Sequence, residues 1–414
     1  MKIGGIVSSH DCAFVVLEDG KPIVHAELER YLRVKEPKGD AFKFMKEEYK
    51  DFEEIKHFVH PLDTWEGGPQ NWYPDSWKEM NGIANKNDGT LRFVGHHKSH
   101  AANAFFSSNF DEALIITIDG GGRDLVGGVP TPATITIWEG KGNKIEEVKI
   151  ITENEINIGT MWSNCTEHIF GLSRGYPKGN QCGTVMAMAC MGDPSKYYDE
   201  FYQHRCRPHG FNFAKFKKII AESEEEAFNV AAALQKTTED IIREVLEPFV
   251  KNSKSKKLCL SGGVVLNSVM TGKMIADWYK DHFEDYYVCP VPYDAGLAIG
   301  AAQYLWHHHL GNPRIKWEDN YTPYLGYSYS EEQIRSALKQ NSDKVQHIAA
   351  TNTEVAKLLM DSKIISVFSG GSESGRRALG NRSILADPRN ANMKDLINEK
   401  VKHRQWFRPF APSI

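Results

Sequence analysis

No run of apolar residues in this chain approaches the roughly 20 needed to cross a bilayer, so a membrane-embedded protein is not expected. The opening MKIGGIVSSHD lacks the basic head and apolar core of an export signal, and a cytoplasmic chain is expected. Cysteine is scarce: the seven, at 12, 165, 182, 190, 206, 259 and 289, are odd in number and include no C-x-x-C pair. That argues against a disulfide framework and for reduced, mostly core cysteine. Neither sign of charge dominates, with 50 Lys and Arg against 54 Asp and Glu, which gives no support for a nucleic-acid-coating surface. There is no Walker A lysine motif, no G-x-G-x-x-G and no H-E-x-x-H, which disfavours P-loop and dinucleotide folds and zinc proteases of that type.

At 414 residues two or three domains are expected, and a hydrophobic fraction of 41% suffices for a sizeable core. Strands are predicted at 2–7 and 12–17 with a hairpin turn at 18–21, the way nucleotide-handling ribonuclease-H-like sheets begin. Residues 35–90, polar and rich in Trp and Pro, read as an insertion with short helices. A helix at 96–106, a strand at 113–118 and a hairpin region at 133–152 follow, the last repeating the N-terminal style and hinting at a duplicated fold. A long amphipathic helix is predicted at 222–250. KKLCLSGG (256–263) reads as a strand and glycine turn opening a helix at 264–276. YYVCPVPYD (286–294) ends a further strand, and AGLAIGAAQYLW (295–306) is a small-residue helix. Residues 321–333 look like a linker.

Three features point to chemistry. His96 and His100 are four residues apart, so a helix projects both imidazoles from one face, where they can share a metal ion. Asp119 and Asp294 fall at predicted strand ends, where open α/β sheets place ligands, and the four together suit iron, manganese or zinc. The glycine turns Gly120-Gly121-Gly122 and Gly262-Gly263 follow strands, so their backbones and the helix opening near Val264 could approach a phosphate. Between Arg376 and Arg408 a dense basic run, interleaved with Trp406, Phe407 and Phe410, suits a ligand with several phosphate or carboxylate oxygens. His10, beside Asp11 between two strands, fits either a general base or an ordinary surface histidine. The His307–His309 triplet, at a predicted helix C-terminus, is discounted.

The runs SSHDCAFVVLEDGK, HHKSHAANAFF, IDGGG, SGGVVLN, PYDAGLAIGAA, ESGRRALGNRSILADPR and KHRQWFRPFAPS occur in order over residues 6–414. In them the chain resembles the O-carbamoyltransferases of the nodulation and antibiotic-tailoring type. The resemblance implies an α/β chain. Residues 1–325 would form an actin-like (ASKHA, duplicated ribonuclease-H-like) carbamoyl-transfer domain. Residues 326–414 would be a linker and the first part of a smaller YrdC-like, carbamoyl-adenylate-forming domain. Its chemistry would join carbamoyl phosphate and ATP into carbamoyl-AMP and pass the carbamoyl group to an acceptor hydroxyl.

The resemblance also gives residues roles. His96, His100 and Asp294, with Asp119, would hold a divalent metal, Fe2+ first and Mn2+ or Mg2+ as alternatives, and His10 would be catalytic. Gly120, Gly121, Gly262, Gly263 and Asn267 would bind nucleotide. Lys402 and Arg408, with Arg377 and Arg404, would contact carbamoyl phosphate. Arg376 stands where the family usually has proline, Thr184 where it has lysine, and the family usually continues past FRPFAPS, so an incomplete adenylate-forming domain is expected.

The acceptor is left open among small molecules, sugars and hydroxymethylpyrimidine in nucleotide or DNA, as is a homodimer. Acceptor contacts are expected from Trp65, Trp72, Tyr73 and Trp77. The alternatives are a nucleotide- and metal-binding actin-like module without catalysis and a sugar-kinase-like phosphotransferase.

Overall fold

In a computed structural model the described residues are 1–61, 69–126, 129–175, 178–316 and 323–410; Trp65 lies outside them. The chain divides into two units, Met1–Thr322 and Pro323–Ile414.

The first unit contains two sheets. In the first, β1 (Lys2–Val7), β2 (Ala13–Glu18), β3 (Lys21–Glu27), β4 (Ile55–Pro61) and β5 (Thr90–Val94) lie in the order β3-β2-β1-β4-β5. β1, β2 and β3 pair antiparallel, and β1, β4 and β5 pair parallel. β2 shows why its sequence is continuously apolar. Ala13, Val15 and Leu17 face one core with the helix Ala295–Gln303, while Phe14 and Val16 face another with the helix Ala41–Glu48. A strand covered on both faces loses the alternation of a half-buried one.

The strands of the second region are β6 (Glu112–Ile118), β7 (Arg123–Val126), β8 (Val129–Lys141) and β9 (Lys144–Thr152). The small hairpin β10 (Arg174–Gly175) and β11 (Gly179–Asn180) comes next, then β12 (Lys257–Ser261) and β13 (Asp285–Val288). The second sheet runs β13-β12-β6-β8, with β7 and β9 both paired to β8. β6 pairs antiparallel to β8 and parallel to β12, and β12 parallel to β13. The order and directions of β9-β8-β6-β12-β13 repeat those of β3-β2-β1-β4-β5. This is the duplicated ribonuclease-H-like architecture of actin-like proteins.

The expected insertion at 35–90 is a misreading, because β4 is a central strand between β1 and β5. Its sequence IKHFVHP hid it, since two histidines and a lysine interrupt the apolar run. Neighbours remove the cost of burying them: Ser8 N donates to His60 Nε2 at 3.1 Å, and Thr90 N donates to His57 Nδ1 at 3.1 Å. The predicted strand through 294 also ends earlier, at Val288.

Two helices join the sheets. His96–Ser107 links β5 to β6, and Ala295–Gln303 follows β13. They cross closely at glycines: a Cβ on Gly300 would lie 1.8 Å from Ser99 O, so no side chain fits there. Asn103 Nδ2 ties the same crossing to Val291 O at 3.1 Å. At the far end of the first helix the Arg314 guanidinium donates to Phe105 O at 2.9 Å and Ser108 O at 2.8 Å, satisfying carbonyls the helix leaves open.

The second unit holds the helices Glu331–Gln340 and Asn352–Met360, each begun by a capping box, and the antiparallel pair β14 (Ile365–Phe368) and β15 (Arg382–Leu385). Glu373 Oε1 gathers the intervening loop, accepting from the backbone N–H of Leu379 (2.9 Å), Asn381 (2.9 Å) and Arg382 (3.0 Å).

Gly300→Ala is expected to destabilise the chain by on the order of 2 kcal/mol, because both backbones at the crossing must move. Gly272→Ala, where an added Cβ meets open space, is expected to be neutral or slightly stabilising. Urea denaturation of the two variants checks the contrast.

Candidate metal centre

Asp119 follows β6 directly, and Asp294 is the residue before the Ala295–Gln303 helix. The helix crossing brings these carboxylates to the first turns of the His96–Ser107 helix. His96 Nε2 lies 3.0 Å and His100 Nε2 3.1 Å from Asp119 Oδ2, and the same nitrogens lie 3.8 and 3.6 Å from Asp294 Oδ1. One ligand atom from each of the four residues lies within 4.8 Å of the other three. Two imidazole nitrogens and two carboxylate oxygens, nearly out of water, are a donor set that fits a divalent cation of the iron, manganese or zinc type.

The other Asp119 oxygen explains the two glycine turns. Gly120 N donates to Asp119 Oδ1 at 2.8 Å and Gly263 N at 3.2 Å. These amides hold the carboxylate and turn Oδ2 toward the histidines. Gly262 has φ +97°, and a Cβ there would sit 2.2 Å from Ile118 O, so the turns interlock. Gly121 continues the first turn. The helix expected at 264–276 is a 3-10 turn, Gly263–Leu266, followed by the helix Ser268–Lys273, which continues as a π-helical stretch through Met274–Trp278. Asn267 caps that helix, accepting from Met270 N at 3.1 Å, and exchanges amide hydrogen bonds with Gln235 at 2.8 and 3.2 Å. Its side chain is thereby committed to its neighbours.

His97, between the two facing histidines, belongs to the core. Trp138 Nε1 donates to Thr136 Oγ1, the Thr136 hydroxyl to Thr117, and Thr117 to His97 Nδ1, leaving His97 Nε2 to donate to Ala133 O at 3.0 Å. Every member is satisfied when the ring is neutral, and burial pushes His97 down to about 4.

Electrostatics separate His100 from it. Burial, the largest influence, pushes His100 down, but hydrogen bonds to Asp119 and Asp294 outweigh it and raise it to about 9. Burial likewise pushes Asp119 up, yet the bonds from His100 and His96 hold its carboxyl well below the usual range.

His10 stands in the β1–β2 turn, half exposed, with Nδ1 at 3.3 Å from Asp11 Oδ2 and Nε2 at 3.4 Å from Asp294 Oδ2. Asp294 therefore faces the histidine pair with one oxygen and His10 with the other. Sequence reasoning missed Asp124, which holds the first turn of the histidine helix, and Thr160, whose hydroxyl donates to Gly120 O at 2.8 Å. Only pairing over long sequence distances shows them. Trp77 stacks on Phe93 at 5.1 Å and packs against the β4 core, a structural use of an expected acceptor contact.

In the second unit, Arg404 is bound to its own chain, donating to Asn398 Oδ1 at 2.8 Å and Pro409 O at 3.2 Å, with its guanidinium over Phe410. Arg377 and Lys402 are exposed. Burial lowers Arg408, and the nearby charge of Arg377 lowers it further, so two guanidiniums sit close enough to repel.

Among the described residues no helix is long and apolar enough to cross a membrane. A family model described as Carbamoyltransferase N-terminus matches residues 71–303, and one described as Carbamoyltransferase C-terminus matches 356–414. Nodulation protein NolNO of Sinorhizobium fredii is 32% identical over 342 residues, 78% of this chain and 47% of its own length. Nodulation protein NolO of Bradyrhizobium diazoefficiens is 33% identical over 338 residues, 77% of this chain and 58% of its own. The chain thus spans about half the length of these curated relatives. Among solved structures, component A of the Acidaminococcus fermentans (R)-2-hydroxyglutaryl-CoA dehydratase aligns with 75% of this chain and 99% of its own, at 13% identity and a TM-score of 0.47.

The His100 shift has a definite sign. Its folded value, about 9, lies above the ordinary 6.5, so the stability it gives the metal-free chain is complete below pH 6.5 and is lost as pH rises through 9. A cation must displace that proton, so Mn2+ affinity is expected to rise between pH 6.5 and 8.5, by at most about tenfold per pH unit. Isothermal titration across that range checks it.

Proposed function

The chain belongs to the carbamoyltransferase family, and from that premise we propose that its first unit transfers a carbamoyl group to an acceptor hydroxyl. The observation that carries this reading is the meeting of His96, His100, Asp119 and Asp294 beside His10. The four are the ligands of a divalent cation, Fe2+ first, with Mn2+ or Mg2+ as alternatives. When bound, that cation supplies a Lewis acid able to polarise a carbonyl oxygen.

The remaining steps fall to the chain. An alcohol is a weak nucleophile near neutral pH, so its proton must be taken as it attacks. His10 is half exposed and oriented by Asp11, and it accepts that proton. The acceptor oxygen bonds to the carbamoyl carbon, the bond from that carbon to the adenylate phosphate oxygen breaks, and AMP leaves. ATP and carbamoyl phosphate are the ultimate donors. Arg377, Lys402 and Arg408 contact the phosphate of carbamoyl phosphate, and Gly121 and Gly262 line the nucleotide's approach. The acceptor is a small molecule, a sugar or a hydroxymethylpyrimidine, and the reaction is cytoplasmic, where both donors are made.

Supplied with carbamoyl-AMP and a panel of hydroxyl acceptors, including hydroxymethylcytosine DNA, the chain is expected to give a product one carbamoyl heavier by mass spectrometry. His100→Ala is expected to lose both metal and transfer. His10→Ala is expected to keep its metal while transfer falls by about 100-fold or more. No transfer to any acceptor, with metal and nucleotide still bound, favours the binding module; release of ADP when ATP replaces carbamoyl-AMP in the same assay favours a phosphotransferase.

A further inference from the structure

The helix that carries His96 and His100 begins without a cap of its own. Its N-cap position is Gly95, which has no side chain to accept the first amides. An α-helix leaves its first N–H groups unpaired, and a buried start must find acceptors elsewhere. Asp124, on β7, provides them: His97 N donates to its Oδ2 at 2.8 Å and Lys98 N to its Oδ1 at 3.0 Å. His97 and Lys98 are the second and third helical residues, the two an N-cap side chain would serve. Asp124 is 1% exposed, and a Cβ on Gly95 would lie 2.1 Å from its Oδ1. The glycine and the distant carboxylate thus fit one another, and either a capping side chain at 95 or the carboxylate at 124 can occupy the space.

We propose that Asp124 is a positioning residue for the two histidines, capping their helix from the second sheet. The inference rests on the metal reading above. The cap fixes the helix start against β7, while the carboxylate that the histidines must meet, Asp119, directly follows β6 of the same sheet. Asp124 and Asp119 therefore reference the helix and its target to one frame. The Asp124 side chain reaches the helix through the backbone amides of His97 and Lys98. The sign and size of its effect should therefore follow the cap, not the identity of the residue at 124.

The test is a rescue in the full chain. Asp124→Ala is expected to weaken Mn2+ binding, read by isothermal titration, by about tenfold or more, the scale of losing a buried cap. Amides 97 and 98 should exchange faster by hydrogen-exchange mass spectrometry. Adding Gly95→Ser in that background, with the carboxylate gone, should restore slow exchange and most of the affinity. In the wild-type background the same serine should harm binding, because it meets Asp124. If Asp124→Ala fails to fold, Asp124→Asn, which keeps one acceptor oxygen, should fold and show a smaller loss. Unchanged affinity in a folded Asp124→Ala or Asp124→Asn overturns the proposal, as does a double variant with slow amides and still-weak binding. A wild-type chain that takes up no Mn2+, Fe2+ or Zn2+ removes the ligand assignment instead, and the exchange of amides 97 and 98 tells that failure from failure of the cap.

Discussion

One carboxylate, Asp119, sets the terms for the rest of the first unit. Its Oδ1 takes amides from both glycine turns and its Oδ2 faces both imidazoles. A buried carboxylate is costly unless each oxygen is matched, and here the match draws on the ends of β6 and β12 and on the His96–Ser107 helix. The arrangement exists only if the elements meet within a few tenths of an ångström. Several local oddities of sequence serve that requirement: the glycines at 262 and 300, the bare helix start at 95, and the acid buried at 124.

The duplicated fold makes the meeting possible. Each half is a sheet of the same order, so the strand ends of both point their loops to the region between them. β1 and β2 supply His10, β6 supplies Asp119, and the two joining helices supply the histidines and Asp294. Hydrophobic burial on both faces of each sheet holds the halves, while the small-residue crossing at Gly300 sets how close the helices come. Packing of this kind is unforgiving of one added methyl group. The chemical site thus inherits its precision from apolar contacts that carry no chemistry.

Much of this was legible in the sequence, and the failures have physical causes. The i, i+4 spacing of His96 and His100 displays a shared helix face, and Asp119 stands at a strand end as its position suggests, whereas Asp294, read as a strand end, lies beyond Val288 at a helix start. The duplicated hairpins and the long helix at Glu224–Asn252 follow from periodicity. β4 was lost because its histidines are satisfied by partners distant in sequence, Ser8 and Thr90. Sequence shows a turn's freedom and not what its amides bind, so the hold of Gly120 and Gly263 on Asp119 Oδ1 was out of its reach. Asp124 gave no signal, since capping over a distance of 26 or 27 residues obeys no local pattern. In the basic C-terminal run, charge alone did not separate Arg404, bound to Asn398 Oδ1 and the Pro409 carbonyl, from the exposed Arg377 and Lys402.

The claim on which everything turns is that two imidazoles and carboxylate oxygens surround one ion. X-ray absorption at the metal edge of the Mn2+- or Fe2+-loaded chain reads that shell directly. Nitrogen and oxygen neighbours are expected, with the outer-shell scattering of two imidazole rings and no sulfur. A spectrum of a hydrated ion without imidazole scattering, or one with thiolate ligands, would contradict it.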